Sequence, residues 1–345
     1  MEDYIPEITD DQDDLYEHHR IKVDPGQSLL RIDKFIFGKL GNVSRNKIQI
    51  AAKSGNILVN DKPEKPNYKI KPGDVISILL PGPVREFEVI AEDIPFTILY
   101  EDVDVLVVNK DAGMVVHPGH GNYTGTLLNA LTFYFKDKPD TYPSLIHRID
   151  KDTSGVLLIG KNEMAQTLLG KQFFDHSIDR KYLALVWGDV KPETGTIEGN
   201  IGRNPADRLQ MFVYPDGSQG KPAITHYRVV ERFGYVTLVE CTLETGRTHQ
   251  IRAHFRYIGH PLFNDEKYGG DKILKGTTFT RYKQFIQNCF RIMPRQALHA
   301  RLLGFTHPAS GKRLQFETPA PPDFVELLEK WREYARHKDI FDDEE

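Results

Sequence analysis

Cysteine is nearly absent: Cys241 and Cys289 are the only two in 345 residues. They have neither CxxC spacing nor other cysteines nearby, which argues against a disulfide framework and a zinc ribbon and leaves burial as their expected role. Long apolar runs are missing too. None approaches the roughly 18 residues of a membrane span. The N-terminus is acidic, unlike a signal or transit peptide, so the expectation is a cytoplasmic protein with no membrane partner. There is no Gly-x-Gly-x-x-Gly and no other glycine-rich phosphate loop, so a nucleotide cofactor has no anchor; neither cofactor nor metal is expected. What is present is ordinary for a globular protein, with 39% hydrophobic and 27% charged residues. The length favours one large domain and a small module.

Positive charge also looks scarce, since the net charge is −4, but its distribution matters more than its sum. Residues 1–20 hold eight acids against the single base Arg20, and five more acids lie in the last seven residues. Between these ends, residues 21–338 carry 44 basic and 36 acidic side chains. The segment 21–80 alone has eleven Lys or Arg against five Asp or Glu. Such a local excess is the footprint of a polyanion-binding surface masked by two acidic tails, residues 1–20 and 336–345, that composition predicts to be disordered.

Apolar residues Leu29, Ile32, Phe35, Ile36 and Leu40 recur at helical steps and predict a helix over 28–40. A second helix is predicted from the cap Ser44 to the stop at Gly55, decorated by Arg45, Lys47 and Lys53. A short β element follows over 56–78. These elements resemble the S4 RNA-binding domain, and they would also suit a basic dimerisation cap. Arg31, Lys34, Arg45, Lys47 and Lys53 are its candidate RNA contacts. Pro81-Gly82-Pro83 reads as a linker, which places an S4-like domain at 21–82 and a second domain at 90–335. In the second domain, strand signals at 96–100, 105–110, 157–159, 182–186, 225–230 and 236–243 are interleaved with helical patterns at 126–134, 163–174, 249–256 and 324–333. Without a regular βαβ rhythm this predicts an α+β fold. Trp187 and Trp331 are expected in the core, and Leu327, Leu328 and Trp331 should dock a terminal helix.

The run His147-Arg148-Ile149-Asp150-Lys151-Asp152-Thr153-Ser154-Gly155 is a polar knot between two apolar pieces. A carboxylate at a strand end there is either a well-satisfied turn or a site. Three other segments concentrate reactive side chains, namely 109–119, 180–186 and Thr245-Gly246-Arg247-Thr248-His249-Gln250-Ile251-Arg252-Ala253-His254. Taken with 259–270 and 295–300, these ordered motifs resemble the RluA/RluD family of RNA pseudouridine synthases from about residue 90 to 335. The resemblance implies an α+β pseudouridine synthase fold with a mixed, largely antiparallel sheet, accompanied by the small α/β S4-like domain. It implies isomerisation of uridine in RNA: the N1–C1′ bond breaks, the uracil turns, and C5 bonds to C1′. The substrate it suggests is a structured stem-loop of 23S rRNA or the assembling large ribosomal subunit, bound by a monomer.

The family's essential aspartate falls on Asp150, its tyrosine on Tyr182 and its basic partner on Arg252. Arg252 is expected to hold Asp150 ionised by a bidentate pair. A carboxylate suits a sugar carbon that develops cationic character, and Tyr182 can stack on the uracil. Ile251 matches an apolar wall of the base pocket. Arg148 matches the residue that fills the gap left by a flipped base, and His147 is given a supporting hydrogen bond. Candidate phosphate contacts are Lys110, Arg203, Arg208, Lys221, Arg247 and the basic stretch 272–295, with solvated surface charge as the competing reading. The chain departs from the usual family wording at Ile149 and Ile251 for leucines, Lys151 for arginine and Asp111 for proline.

Three rivals compete. Asp150-Lys151-Asp152-Thr153 satisfies the DxDxT signature of haloacid-dehalogenase phosphatases, but His147-Arg148 interrupts the apolar strand that should run into the first aspartate. A metal hydrolase could draw on His117, His120, His147, His249, His254 and Asp150, although the two histidines of 249–254 are not spaced as in HExxH. A non-catalytic rRNA-binding assembly factor would keep the fold without the reaction.

Overall fold

The computed structural model describes residues 15–40, 45–81, 89–119, 122–138, 141–207 and 210–337. Ser44, Gly82, Pro83, His120 and Arg208 lie outside them. The chain divides into two compact units, Met1–Glu88 and Val89–Glu345.

In the N-terminal unit, strands β1 (Leu15–Lys22), β2 (Ile57–Val59), β3 (Lys62–Pro63) and β4 (Val75–Pro81) form an antiparallel sheet in the order β1-β4-β2-β3. Helices α1 (Ile32–Leu40) and α2 (Arg45–Lys53) pack on it through a core that includes Ile32, Phe35, Ile36, Ile48, Ile57 and Ile76. Two boundaries differ from expectation. Residues 15–20 of the acidic segment belong to the fold, because β1 pairs along β4 from Leu15 onward, while residues 1–14 lie outside the described residues. Local charge concealed a strand whose reason is the otherwise unpaired edge of β4. The first helix starts at Ile32, four residues late. Ile32 N–H donates to Tyr68 O and Ile70 N–H to Leu30 O, so this backbone is spent on a bridge between Arg31 and Lys69, and Leu29 is left 66% exposed.

The second unit is built on an eleven-stranded sheet. Its strands are β5 (Thr97–Glu101), β6 (Val105–Lys110), β7 (Ser144–Leu145), β8 (Ser154–Gly160), β9 (Asp179–Trp187), β10 (Thr194–Arg203), β11 (Met211–Tyr214), β12 (Lys221–Arg232), β13 (Val236–Leu243), β14 (Leu298–Thr306) and β15 (Arg313–Glu317). The main path runs β11-β10-β12-β13-β9-β14-β8-β6-β5, and β7 pairs β8 while β15 pairs β14. Among the described strands only β14 and β8 run parallel, so the sheet is mixed and largely antiparallel, as expected.

Side chains two apart on a strand share a face, and here both faces are covered. Leu157 and Ile159 of β8 and Tyr182, Ala184 and Val186 of β9 enter one core. Val156 and Leu158 enter a second, and Leu183, Leu185 and Trp187 a third. Burial on both sides is why these strands read as continuous apolar runs and not as alternation. The third core is closed by α6 (Thr280–Ile292) and α7 (Pro322–Arg336), with Ile286, Cys289, Leu327 and Trp331 buried together. The basic stretch around 280–292 is thus a half-buried helix. Helices α3 (Leu127–Phe135), α4 (Glu163–Phe174) and α5 (Gln250–Tyr257) complete the unit. Among the described residues, no helix is long and apolar enough to cross a membrane.

Candidate active site

Strand register brings the distant motifs together. Tyr182 of β9 pairs with Ala300 of β14, and Ala300 pairs with Gly155 of β8. Tyr182 therefore sits across the sheet from the start of the strand that follows Asp150. Gly155 has φ +120°, and a Cβ there would come within 2.1 Å of Ala300 O. Only glycine permits this approach.

The loop carrying Asp150 is tied down from behind. Thr153 N–H donates to Asp150 O at 3.1 Å, and Arg295 Nη1 donates to Asp152 O at 2.8 Å. Lys151 O accepts from Gly113 N–H at 2.9 Å and from Lys110 Nζ at 2.9 Å. Lys110 also donates to Asp111 O at 2.7 Å and Met114 O at 2.8 Å. All three ammonium protons of a buried lysine are thus used inside the protein, and burial brings its pKa down to about 7 against the pull of Asp152. Lys110 is a structural staple, not the phosphate contact its charge suggested. Arg295 is likewise held by the protein, its side chain 7% exposed and paired through Nε and Nη2 with Asp323.

Arg252, on α5, is the hub of the site. Its Nη1 donates to Asp150 Oδ2 at 2.9 Å. Its Nε and Nη2 donate to Asp265 Oδ2 and Oδ1 at 2.7 and 2.8 Å. The bidentate partner is therefore Asp265, not Asp150 as expected, because the fork of the guanidinium faces the fully buried carboxylate and leaves Nη1 for Asp150. Although burial opposes it, these two carboxylates raise the Arg252 pKa above its ordinary value. Asp265 lies in the stretch 259–270 that carried part of the resemblance, but nothing local marked it as a partner. His249, the residue before α5, has φ +54° and places Nε2 3.9 Å from Asp150 Oδ1. Its Nδ1 meets the Tyr268 hydroxyl at 2.9 Å, and burial lowers its pKa to about 4.

Asp150, Tyr182, Ile251 and Arg252 line one narrow pocket of about 60 Å³, together with Arg148 and Arg247. Tyr182 is 9% exposed, and burial raises its pKa. On one side the pocket opens to a cleft of about 670 Å³ bordered by His117, Asp152 and Lys267; on the other lies a cavity of about 460 Å³. Arg148 is exposed and borders all three. His147 accepts from Leu158 N–H at 2.9 Å and stacks on Phe173 at 4.7 Å, so it braces the loop against β8. Burial and the nearby Arg180 lower its pKa to about 3. Arg247 donates from Nε to Pro222 O at 3.0 Å.

In the N-terminal unit, Arg31 and Arg45 converge on one fully buried carboxylate. Asp33 accepts from Arg31 Nε and Nη2 at 3.0 and 2.9 Å, from Arg45 Nη2 at 3.0 Å and from Gln49 Nε2 at 2.8 Å. Burial would raise its pKa, but these donors hold it well below the usual carboxylate range. Both arginines remain 43% exposed. Lys34 and Lys53 are exposed, whereas Lys47 is in α2 with its side chain outside the described residues. Lys221 is exposed at the start of β12, and Arg203 ends β10.

Among the described residues, the two rival sites do not assemble. No strand runs into Asp150; β7 ends at Leu145 and β8 begins at Ser154. His147 is committed to Leu158, and His254 is buried with Nδ1 2.9 Å from Thr225 Oγ1. Among the described residues, the grouping with metal-ligand geometry is Asp102, Asp104 and His307, which does not include Asp150.

Comparison with known proteins identifies the family. The family model for RNA pseudouridylate synthase matches residues 104–257, and that for the S4 domain matches residues 30–76. An uncharacterized RNA pseudouridine synthase of Chlorobaculum parvum is 44% identical over 89% of this chain and 95% of its own length. The ribosomal large subunit pseudouridine synthase D of Neisseria meningitidis serogroup A is 41% identical over 86% of this chain and 78% of its own. The solved structure of human RNA pseudouridylate synthase domain containing 1 aligns with a TM-score of 0.51 at 27% identity, covering 71% of this chain and 96% of that one. With an S4 domain ahead of a catalytic domain that these relatives share over most of their length, this chain belongs to the RNA pseudouridine synthases, isomerases that act on RNA.

Proposed function

We propose that this enzyme converts uridine to pseudouridine in large-subunit rRNA, with Asp150 as the carboxylate that acts on the sugar of a flipped nucleotide. The observation that carries this reading is the Arg252 bridge, which presents Asp150 to a pocket walled by Tyr182 and Ile251. Asp150 is 20% exposed, so it is reachable from the cleft, while Arg252 is immobilised from behind by Asp265. A carboxylate there serves either attack on C1′ or an elimination that begins at the sugar; both release the uracil from N1 without releasing it from the pocket. Tyr182, whose proton is held more tightly than usual, enters as a neutral phenol whose face can stack on the turning base. Arg148, exposed where the pocket meets both larger spaces, fills the gap in the RNA stack. The proton lost from C5 is balanced by the one gained at N1, and no other atom enters or leaves.

The rRNA substrate is supported by 41% identity to a protein named for the large ribosomal subunit. It is also supported by the S4 unit, where Arg31, Lys34, Arg45 and Lys53 offer charge to phosphates. We assign domains at 15–81 for the S4 unit and 89–336 for catalysis, acting as a monomer in the cytoplasm. Carbodiimide-dependent primer extension on rRNA from cells with and without the gene tests this directly. At least one stop in large-subunit rRNA should vanish with the gene, and an unchanged pattern would overturn the substrate assignment.

A further inference from the structure

The cavity of about 460 Å³ on the far side of Tyr182 is not used by the reaction as described. It shares Arg148, Tyr182, Leu243 and Arg247 with the base pocket, so it adjoins the space an RNA strand on this side of the pocket would occupy. Its remaining wall has two unusual features. Arg180 is 6% exposed, and among the described residues it has no carboxylate partner and its Nε no hydrogen-bond partner; its Nη2 donates to Glu244 O at 2.9 Å. A buried cation is costly unless compensated. Arg180 and Tyr182 are two apart on β9 and therefore face the same way. Gly246 belongs to the same arrangement, since a Cβ there would come within 2.5 Å of Arg180 Nη1.

The second feature is Phe174, at the end of α4, which lines the cavity yet is 82% exposed. Its neighbour Phe173 is already covered, by the His147 ring at 4.7 Å and the Arg180 guanidinium at 5.6 Å. An uncovered aromatic ring beside arginines is the arrangement by which proteins hold unpaired nucleotides, the ring stacking on a base and the cations meeting phosphate.

We propose that this cavity holds a second nucleotide of the same RNA strand, adjacent to the target uridine, with its base on Phe174 and its phosphate facing Arg180 and Arg247. The inference rests on the functional reading above. It makes the enzyme a reader of a splayed dinucleotide, in which the flanking base contributes to binding and not to chemistry.

The test uses the full-length protein and a synthetic RNA stem-loop carrying a uridine mapped as above, labelled with tritium at C5. The stem-loop is made intact and with an abasic ribose on either side of that uridine. Phe174→Ala, an exposed substitution that should fold, is expected to raise KM about tenfold with kcat within about twofold, since base stacking contributes of the order that a tenfold change requires. One of the two abasic RNAs should raise the wild-type KM by a similar factor and should cost Phe174→Ala nothing more, because both changes remove one contact. An unchanged KM for Phe174→Ala, or losses that multiply, would overturn the second pocket while leaving the enzyme's function intact. Wild-type protein that releases no tritium from the intact RNA would instead overturn the functional reading, and this inference with it.

Discussion

The two units solve one electrostatic problem in opposite senses. In the N-terminal unit a buried acid, Asp33, holds two half-exposed bases, Arg31 and Arg45. In the catalytic unit a buried base, Arg252, holds a buried acid, Asp265, and a reachable one, Asp150. In each case the buried ion orients its partner, and the sign of the outward group decides what it can do. An outward guanidinium meets phosphate. An outward carboxylate can attack or deprotonate carbon. On the function proposed above, the buried member of each cluster positions its partner, and the partner meets the RNA.

The sharpest way to break that division is to neutralise the two carboxylates of Arg252 separately. Asp150→Asn should lower turnover at least about a thousandfold, the scale of losing an essential reacting group, with unfolding by urea nearly unchanged. Asp265→Asn leaves Arg252 without its buried partner and should destabilise the catalytic unit by about 3–5 kcal/mol. Equal destabilisation by both variants would show that Arg252 does not distinguish a structural acid from a catalytic one.

Acid provides the next contrast. Burial holds His147, His249 and His254 at about 3, 4 and 4, below the ordinary value near 6.5. As pH falls below about 6.5 the unfolded chain binds these protons first, so stability is withdrawn from there down to the folded values, by about 1.4 kcal/mol per pH unit for each histidine. In the N-terminal unit, burial opposes but hydrogen bonds depress the pKa values of Asp33 and Asp74. Their contribution persists above about 3.9 and is lost only as pH falls below that. The catalytic unit should therefore unfold first on acidification. Both tryptophans, Trp187 and Trp331, lie in it, so their fluorescence reports it alone, while amide exchange follows the other unit. Coincident transitions below pH 4 would contradict this order.

The smallest effect concerns the outward bases. Arg31→Gln and Arg45→Gln should each reduce the slope of log affinity against log salt by about 0.7–0.9, with kcat at saturating RNA unchanged. A loss of kcat in either variant would mean that the S4 unit contributes to chemistry and not only to grip.

Several elements were legible because their causes are local. The helix at 163–174 and the strand at 236–243 match the elements formed, Glu163–Phe174 and Val236–Leu243. The apolar run 157–159 marked the centre of β8, whose whole length is buried. Leu15–Lys22 and the late start of α1 were not legible, since both depend on backbone partners in β4 and at Tyr68 to Ile70. Lys110 illustrates the same limit for side chains. Its charge suggested phosphate, but three carbonyls from two loops surround it once the chain is folded.

By itself, the sequence determined the chemistry available to this protein: an aspartate in a polar knot between apolar runs, a tyrosine and an arginine in ordered motifs, and a basic module between acidic ends. Only the tertiary structure decided which of these charges face outward. Arg252 reaches Asp150 across 102 residues of sequence, and its fork is turned toward Asp265, a residue with no distinguishing local pattern. Residue types and their spacing follow from the chain, but the pairing of buried charges is set by desolvation, which forces each ion to find whichever partner the fold brings within reach.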